Sequence, residues 1–293
     1  VHNHLESLRN DGFRFSAIRN KGYRLEEEPK SFHPALFAAL LQENPCPFIK
    51  SFLAMPEVES TNDLAEAELS SGRETPFLVI ADTQTAGRGR RGRAWHSPPG
   101  KNLYLTLALR PSLPASRLQT ITLWMGLRIC QFLRDSMALP VLIKWPNDLM
   151  VHNRKIAGML TEARVDAEQT RDLVFGLGLN VNSQEMDFPK ELSRLASSLS
   201  LNLGRELNLT RLAHALAGHL ALAVQDYLDD QFSSELTRLW PEFDFLRGQN
   251  VEAGEIKGRV LGINTSGSLR LERPDGSITL LHSGEVSIGS RPA

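Results

Sequence analysis

Apolar and polar positions follow two different rhythms along this chain. Leu103, Leu105, Leu107 and Leu109 alternate strictly within NLYLTLALR (102–110), which reads as a strand. FLVIA (77–81), LPVLIKW (139–145, ended by Pro146), KIAGMLTEA (155–163) and LVFGLGLNVN (173–182) read as further strands. Helical spacing covers 61–71, with Ser60 or Thr61 as N-cap, then 115–137, and then 210–229 starting at Thr210. A shorter helix is expected at 34–42. Helices set between strands predict an α/β or α+β domain over about 48–245.

Both ends depart from that pattern. Residues 1–9 place Val1, Leu5 and Leu8 at helical spacing, and 13–25 reads as a hairpin turning at Asn20-Lys21-Gly22. Glu26-Glu27-Glu28-Pro29 closes this unit as the start of a linker. Beyond 247, KGRVLGI, SLRLER, ITLL and EVSI are short strands parted by Gly, Asn-Thr-Ser-Gly and Pro-Asp-Gly turns, which predicts a small β-barrel.

Composition narrows the function classes. The chain has 293 residues, with 33 basic and 34 acidic side chains and a net charge of −1. A protein dedicated to nucleic acid carries a basic excess, so any basic site here is local. One such patch is 1–25, where Arg9, Arg14, Arg19, Lys21 and Arg24 face only Glu6 and Asp11. Cys46 and Cys130 form no CxxC pair, which excludes a disulfide scaffold and a cysteine zinc site and suits a reducing cytoplasm. The most apolar helical stretch, 211–228, is broken by Arg211, His214, His219, Gln225 and Asp226, and no apolar leader opens the chain. The eight histidines show no metal-ligand spacing. The expectation is a soluble, cytoplasmic protein.

Four segments carry candidate chemistry. GRGRRGRAW (87–95) packs Arg88, Arg90, Arg91 and Arg93 among three glycines with no acid beside them in sequence. Such a loop is a solvated basic turn, an RGG-like nucleic-acid contact, or an anion site built from guanidinium forks and close-approaching backbone N–H groups. Lys144-Trp145-Pro146-Asn147-Asp148 is either an ordinary strand exit or a lysine at a strand's C-terminal end, where α/β sheets open their ligand crevices. Ser60-Thr61-Asn62 reads by itself as a helix N-terminus. Gly176 and Gly178, within GLGLNVN, mark either tight strand packing or close approach of a ligand.

Taken in order, STN (60–62), QTAGRGRRGRAW (84–95), NLYLTL (102–107), KWPND (144–148), KIAGMLTE (155–162) and GLGLNVN (176–182) resemble the biotin protein ligases, or biotin–[acetyl-CoA-carboxylase] ligases. The resemblance spans roughly 48–290, and the GRGRRGR and KWPND pair at this separation is its most specific part. It implies a class II aminoacyl-tRNA-synthetase-like catalytic domain at 48–246 and an SH3-like barrel at 247–293. It also implies a two-step reaction. Biotin and ATP give biotinyl-5′-AMP, and the biotin then passes to a lysine of the biotin carboxyl carrier domain of acetyl-CoA carboxylase.

That chemistry needs no enzyme nucleophile, so the missing Ser-His-Asp or Cys-His set is expected. It does need cations, because a carboxylate must attack a polyphosphate and charge accumulates in the transition state. The resemblance implies catalytic roles for Arg88, Arg90 and Lys144. Biotin contacts fall to Ser60, Thr61, Asn62, Gln84, Arg88, Gly89, Arg90, Lys144 and Gly158, with Gly158 and the Gly176/Gly178 strand giving its ring room. ATP contacts fall to Arg90, Arg91, Arg93, Trp95 and Asn180, and Mg²⁺ ligation to Asp148 and Asn180. Implied partners are the carrier protein, docking along a sheet edge, and a second copy in a homodimer. A related acyl-adenylate enzyme, lipoate ligase, is the alternative, and GRGRRGRAW with KWPND argues against it.

VHNHLESLRNDGFRFSAIRNKGYRL (1–25) resembles the recognition helix and wing of the winged helix-turn-helix in repressor-type members. Residues 1–28 are thus expected to be a partial DNA-binding domain, cut at Val1, with 29–47 as linker. The full-length form would also bind operator DNA and repress biotin synthesis genes.

Overall fold

The computed structural model describes residues 2–167, 169–230 and 232–288. Helix α1 (His2–Asn10) leads into a hairpin of β1 (Arg14–Ile18) and β2 (Gly22–Glu27), then α2 (Pro34–Glu43). The central part runs β3 (Ser51–Val58), α3 (Thr61–Ser70), β4 (Phe77–Gln84), β5 (Leu103–Leu109), β6 (Leu113–Pro114), α4 (Leu118–Met137), β7 (Leu142–Lys144), β8 (Asp148–Val151), β9 (Arg154–Asp166) and β10 (Gln169–Leu179). Then come α5 (Leu199–Leu203), α6 (Leu209–Leu228) and α7 (Phe232–Phe243). The chain closes with β11 (Asn250–Ala253), β12 (Ile256–Ile263), β13 (Leu269–Glu272), β14 (Ile278–Leu281) and β15 (Ser287–Ile288). Val1 and residues 289–293, within the helix and barrel readings, lie outside the described residues.

The central sheet has the order β3-β4-β5-β10-β9-β8-β7, with β6 against β10. β3 and β4 pair in parallel; the other pairs are antiparallel. The strict alternation on β5 explains how this sheet is covered. Leu103, Leu105, Leu107 and Leu109 join the main core with Trp124 and Leu127 of α4 and Leu216 and Leu220 of α6. Ala108, on the opposite face, packs with Ala65 and Leu69 of α3. β5 is therefore buried on both faces along its whole length. Thr106 is wholly buried on the α3 side, so a polar position that alternation alone would expose to water instead meets α3 and the site.

The last five strands form an antiparallel sheet in the order β14-β13-β12-β11-β15. Its apolar residues, among them Val251, Val260, Leu269 and Leu271, belong to the same core cluster as α4 and α6. The Gly267 carbonyl accepts from the indole N–H of Trp145 (3.0 Å) and from Gln119 Nε2 (2.8 Å), which seats the 264–268 turn on α4 and KWPND.

Several boundaries differ from the sequence reading. Helix α6 starts one residue before the expected Thr210, because Asn208 is its cap and accepts from Arg211 N at 3.0 Å. The Thr210 hydroxyl instead accepts from His33 N at 2.8 Å, tying α6 to the start of α2. The segment read as a linker, 29–47, is packed rather than free. Phe37 of α2 is fully buried against Phe52, with ring centres 4.9 Å apart. β3, β6, β8, α5, α7 and β11 were not anticipated. β3 carries Pro56 and an exposed Met55, and α7 carries Pro241, so neither shows the period expected of a regular element. Among the described residues no helix is long and apolar enough to cross a membrane.

Candidate active site

One cavity of about 1070 Å³ opens between the sheet, the glycine-arginine loop and the C-terminal strands. Its lining includes Ser60, Thr61 and Asn62 at the α3 N-terminus, and Gln84 at the end of β4. From the loop come Arg88, Gly89, Arg90, Arg91, Arg93 and Trp95; from the sheet come Lys144, Asp148, Gly158, Gly176, Gly178 and Asn180. Every residue given a catalytic, biotin, ATP or Mg²⁺ role in the sequence reading thus lines this one cavity.

The α3 end is a hydrogen-bonded network built mainly from neutral groups. Ser60 caps α3, its Oγ accepting from Asp63 N at 3.4 Å. Gln84 Oε1 accepts from the Thr61 backbone N–H (2.9 Å) and hydroxyl (3.1 Å), while its amide nitrogen donates to Ser97 Oγ (3.1 Å). Thr106 Oγ1, 2.9 Å from Thr61 Oγ1, donates to Asn62 Oδ1 at 2.7 Å. Ser60, Thr61 and Asn62 are all buried, so their polar atoms need these partners.

The loop end is cationic and folded back on itself. Trp95 N donates to Gly87 O and Gly89 N to Arg93 O, each at 2.7 Å. Arg91 and Gly92 take left-handed φ values of 57° and 72° to turn the tip. A Cβ on Gly87 would lie 2.9 Å from the Gln84 amide and 3.0 Å from the Trp95 carbonyl, so a larger residue there would press on both. The fold supplies the acids that the local sequence lacked. Arg88 pairs with Asp63 and Glu162, and Arg93 with Glu285 of the C-terminal segment. Arg90 reaches Asn147 Oδ1 at 3.4 Å and the Gly284 carbonyl at 3.5 Å. Burial, then the neighbouring Arg91, push the Arg90 guanidinium below its ordinary value, although arginine stays charged at any working pH.

Gly158 and Gly178 make room, but Trp95 fills it. A Cβ would come within 2.8 Å of the indole at Gly158 and 2.5 Å at Gly178. At Gly176 the space is taken by Asn62. In this structure Trp95 and Asn62 pack over these glycines of β9 and β10, which also line the cavity. The Trp95 indole nitrogen is buried without a hydrogen-bond partner, a donor that an acceptor on a ligand would satisfy.

Comparison with known proteins decides the family. Residues 54–180 match the model of the biotin/lipoate A/B protein ligase family, and 248–289 match that of the biotin protein ligase C-terminal domain. A Bacillus subtilis protein named bifunctional ligase/repressor BirA is 32% identical over 294 residues, covering 99% of this chain and 89% of its own. The Escherichia coli protein of the same name is 30% identical, covering 99% and 88%.

The chain belongs to the biotin protein ligase family.

Among solved structures, a biotin protein ligase from Aquifex aeolicus in complex with biotin and ATP superposes with a TM-score of 0.68 at 26% identity. It covers 82% of this chain and 99% of that one.

The cavity of this ligase also contains groups to which sequence reasoning gave no role. Lys155, the first residue of KIAGMLTE, lines it; its Nζ lies 2.8 Å from Asp148 Oδ1 and 5.0 Å from the centre of the Trp95 ring. Its signal was visible as the lysine of a quoted motif. Asn147, whose amide donates to Met159 O at 2.9 Å, lines it too. Glu285 and Gly284 could not be assigned, since only folding brings them to the loop.

Among the described residues there is no cluster of three or more histidine, cysteine or acidic side chains able to hold a metal. Asp148 and Asn180 both line the cavity. Asn180 commits its amide nitrogen to Ser197 O at 3.0 Å, leaving its oxygen as the available ligand. One carboxylate and one amide oxygen suit a Mg²⁺ held mainly by substrate phosphates and water.

Proposed function

We propose that this cavity joins biotin to ATP and then presents the adenylate to a carrier lysine. The observation that carries the reading is its polarity. A neutral hydrogen-bonding end at Ser60–Asn62 and Gln84 shares one chamber with a cationic end at Arg88–Arg93, Lys144 and Lys155. A polar ring head with a carboxylate tail, joined to a nucleotide phosphate, needs both. In this reading Ser60, Thr61, Asn62 and Gln84 hold the ureido group, and Arg88, Arg90 and Lys144 stabilise the carboxylate and α-phosphate. Arg91, Arg93, Trp95 and Asn180 face the nucleotide, and Mg²⁺ enters with ATP at Asp148 and Asn180. Lys144, Lys155 and the four arginines place positive charge where negative charge accumulates in the transition state.

The remaining readings stand on the same footing. The catalytic unit is taken as class II synthetase-like and the last five strands as an SH3-like barrel. The carrier protein docks on β3. Its outer edge has no strand partner among the described residues, whereas the β7 edge is taken by the Phe245 N to Ile143 O bond at 2.9 Å. The ligase works as a homodimer in the cytoplasm. α1 with the β1–β2 hairpin is read as a recognition helix and wing that contacts operator DNA. Exposure of all of β2 favours this, while Arg14 and Arg24 are partly neutralised by Glu27 and Glu26.

The deciding experiment is biotin-dependent ATP–pyrophosphate exchange, run beside lipoate as competitor. Exchange with biotin alone is expected; none would reject the reading. Gel shifts with and without biotinyl-5′-AMP address DNA binding.

A further inference from the structure

The neutral and cationic ends of the cavity meet at one carboxylate that does not line the cavity itself. Glu162, on β9, accepts through the same Oε2 from Asn62 Nδ2 at 2.8 Å and from Arg88 Nη2 at 3.1 Å. The orientation of the Asn62 amide follows from chemistry. The Leu160 carbonyl, 3.3 Å away, only accepts, so the atom facing it is the nitrogen. The second hydrogen on that nitrogen goes to Glu162, itself an obligate acceptor when ionised. The amide oxygen accepts from Thr106 at 2.7 Å and lies beside Gly176, which lines the cavity. Both Asn62 hydrogens are thus consumed by the protein, and its oxygen keeps one lone pair. Toward a ligand, Asn62 is an acceptor only.

We propose that Glu162 is a positioning residue that locks Asn62 as an acceptor for a ligand N–H and ties that lock to Arg88 through one carboxylate oxygen. This rests on the biotin-adenylating reading, and the matching ligand group is one of the two N–H groups of a cyclic urea. A glutamine at 162 has the same shape, but its amide can donate as well as accept. It leaves only the Leu160 carbonyl as an obligate acceptor on the Asn62 nitrogen and only Asp63 as a carboxylate on Arg88, so both side chains are held less firmly.

The test uses the exchange assay with biotin and with two analogues, each having one ureido N–H replaced by oxygen. Wild type is expected to discriminate against one of them by at least about tenfold, because a site built to accept an N–H rejects the group that lacks it. Glu162→Gln is expected to raise KM for biotin about tenfold, with a smaller change in kcat, and to shrink that discrimination to about threefold. Thr106→Val removes a donor from the oxygen side and leaves the Glu162 lock intact. It should keep the discrimination, whereas a merely loosened network would lose it in both variants. Equal use of both analogues by the wild type would overturn the proposal, whatever the folding of the variants. So would Glu162→Gln keeping both KM and discrimination within about twofold. No exchange by wild type with biotin would instead remove the functional reading, and the positioning role with it.

Discussion

The two ends of the cavity are held by different physics. At the α3 end, the buried Thr61, Asn62 and Thr106 and the half-buried Gln84 are joined by neutral hydrogen bonds. At the loop end, Arg88 and Arg93 are held by carboxylates through partly exposed ion pairs. Buried neutral networks are expensive to break and specify geometry. Exposed ion pairs are worth little and exchange readily. The neutral end is therefore built before a ligand arrives, while the cationic end holds its arginines on carboxylates that phosphates can replace. Digestion should show this exchange. Protease cutting within Arg88–Arg93 is expected to fall when biotin and ATP are both present, and unchanged cutting would contradict it.

The largest effect should come from removing charge at the cationic end. Lys144→Ala or Arg88→Ala is expected to slow adenylate formation by ~10²–10³-fold, the scale of one lost electrostatic donor. Near-normal adenylate formation by Lys144→Ala would remove that lysine from the mechanism. Next is Gly178→Ala, whose new methyl would meet the Trp95 indole at 2.5 Å. Overpacking of this kind costs ~1–3 kcal/mol, and a thermal melt should register it along with weaker nucleotide binding. A harmless Gly178→Ala would show that Trp95 is free to leave its seat.

How much of this was legible in the sequence differs between the same two ends. The arginines, the KWPND lysine and the STN segment announced themselves by type and spacing. Their partners did not, because Asp63, Glu162 and Glu285 reach the loop from three separate elements. The glycines were visible too, but the sequence could not say whether Gly158 and Gly178 admit a ligand or a side chain. In the fold, periodicity located β5 and α4, where one face is continuously apolar. It missed β3 and α7, where Pro56 and Pro241 interrupt the period and tertiary packing decides the conformation.

Two smaller effects sharpen the comparison. Glu285→Gln breaks the Arg93 pair, whose side chains are 66% and 50% exposed. The expected loss is at most ~1 kcal/mol and should vanish in high salt. A larger loss would make the loop end as rigid as the neutral end. The smallest effect concerns Glu66. Burial, then the charge of Glu162, raise its carboxyl above the ordinary value, with Arg88 opposing. A raised folded-state value means that ionisation costs stability as pH climbs through it. Glu66→Gln should therefore gain on wild type in melting temperature between pH 4 and pH 8, and an unchanged difference would refute the assignment.

The Gly267 carbonyl gives the C-terminal strands a mechanical meaning. Because it receives both Trp145 and Gln119, and because Val251, Val260, Leu269 and Leu271 share the core of α4 and α6, the break in pattern near 247 is not a break in packing. For anyone trimming or grafting this enzyme, a cut there would strand a buried indole N–H and bare the core beneath KWPND, so the last strands act as a keystone, not an appendage.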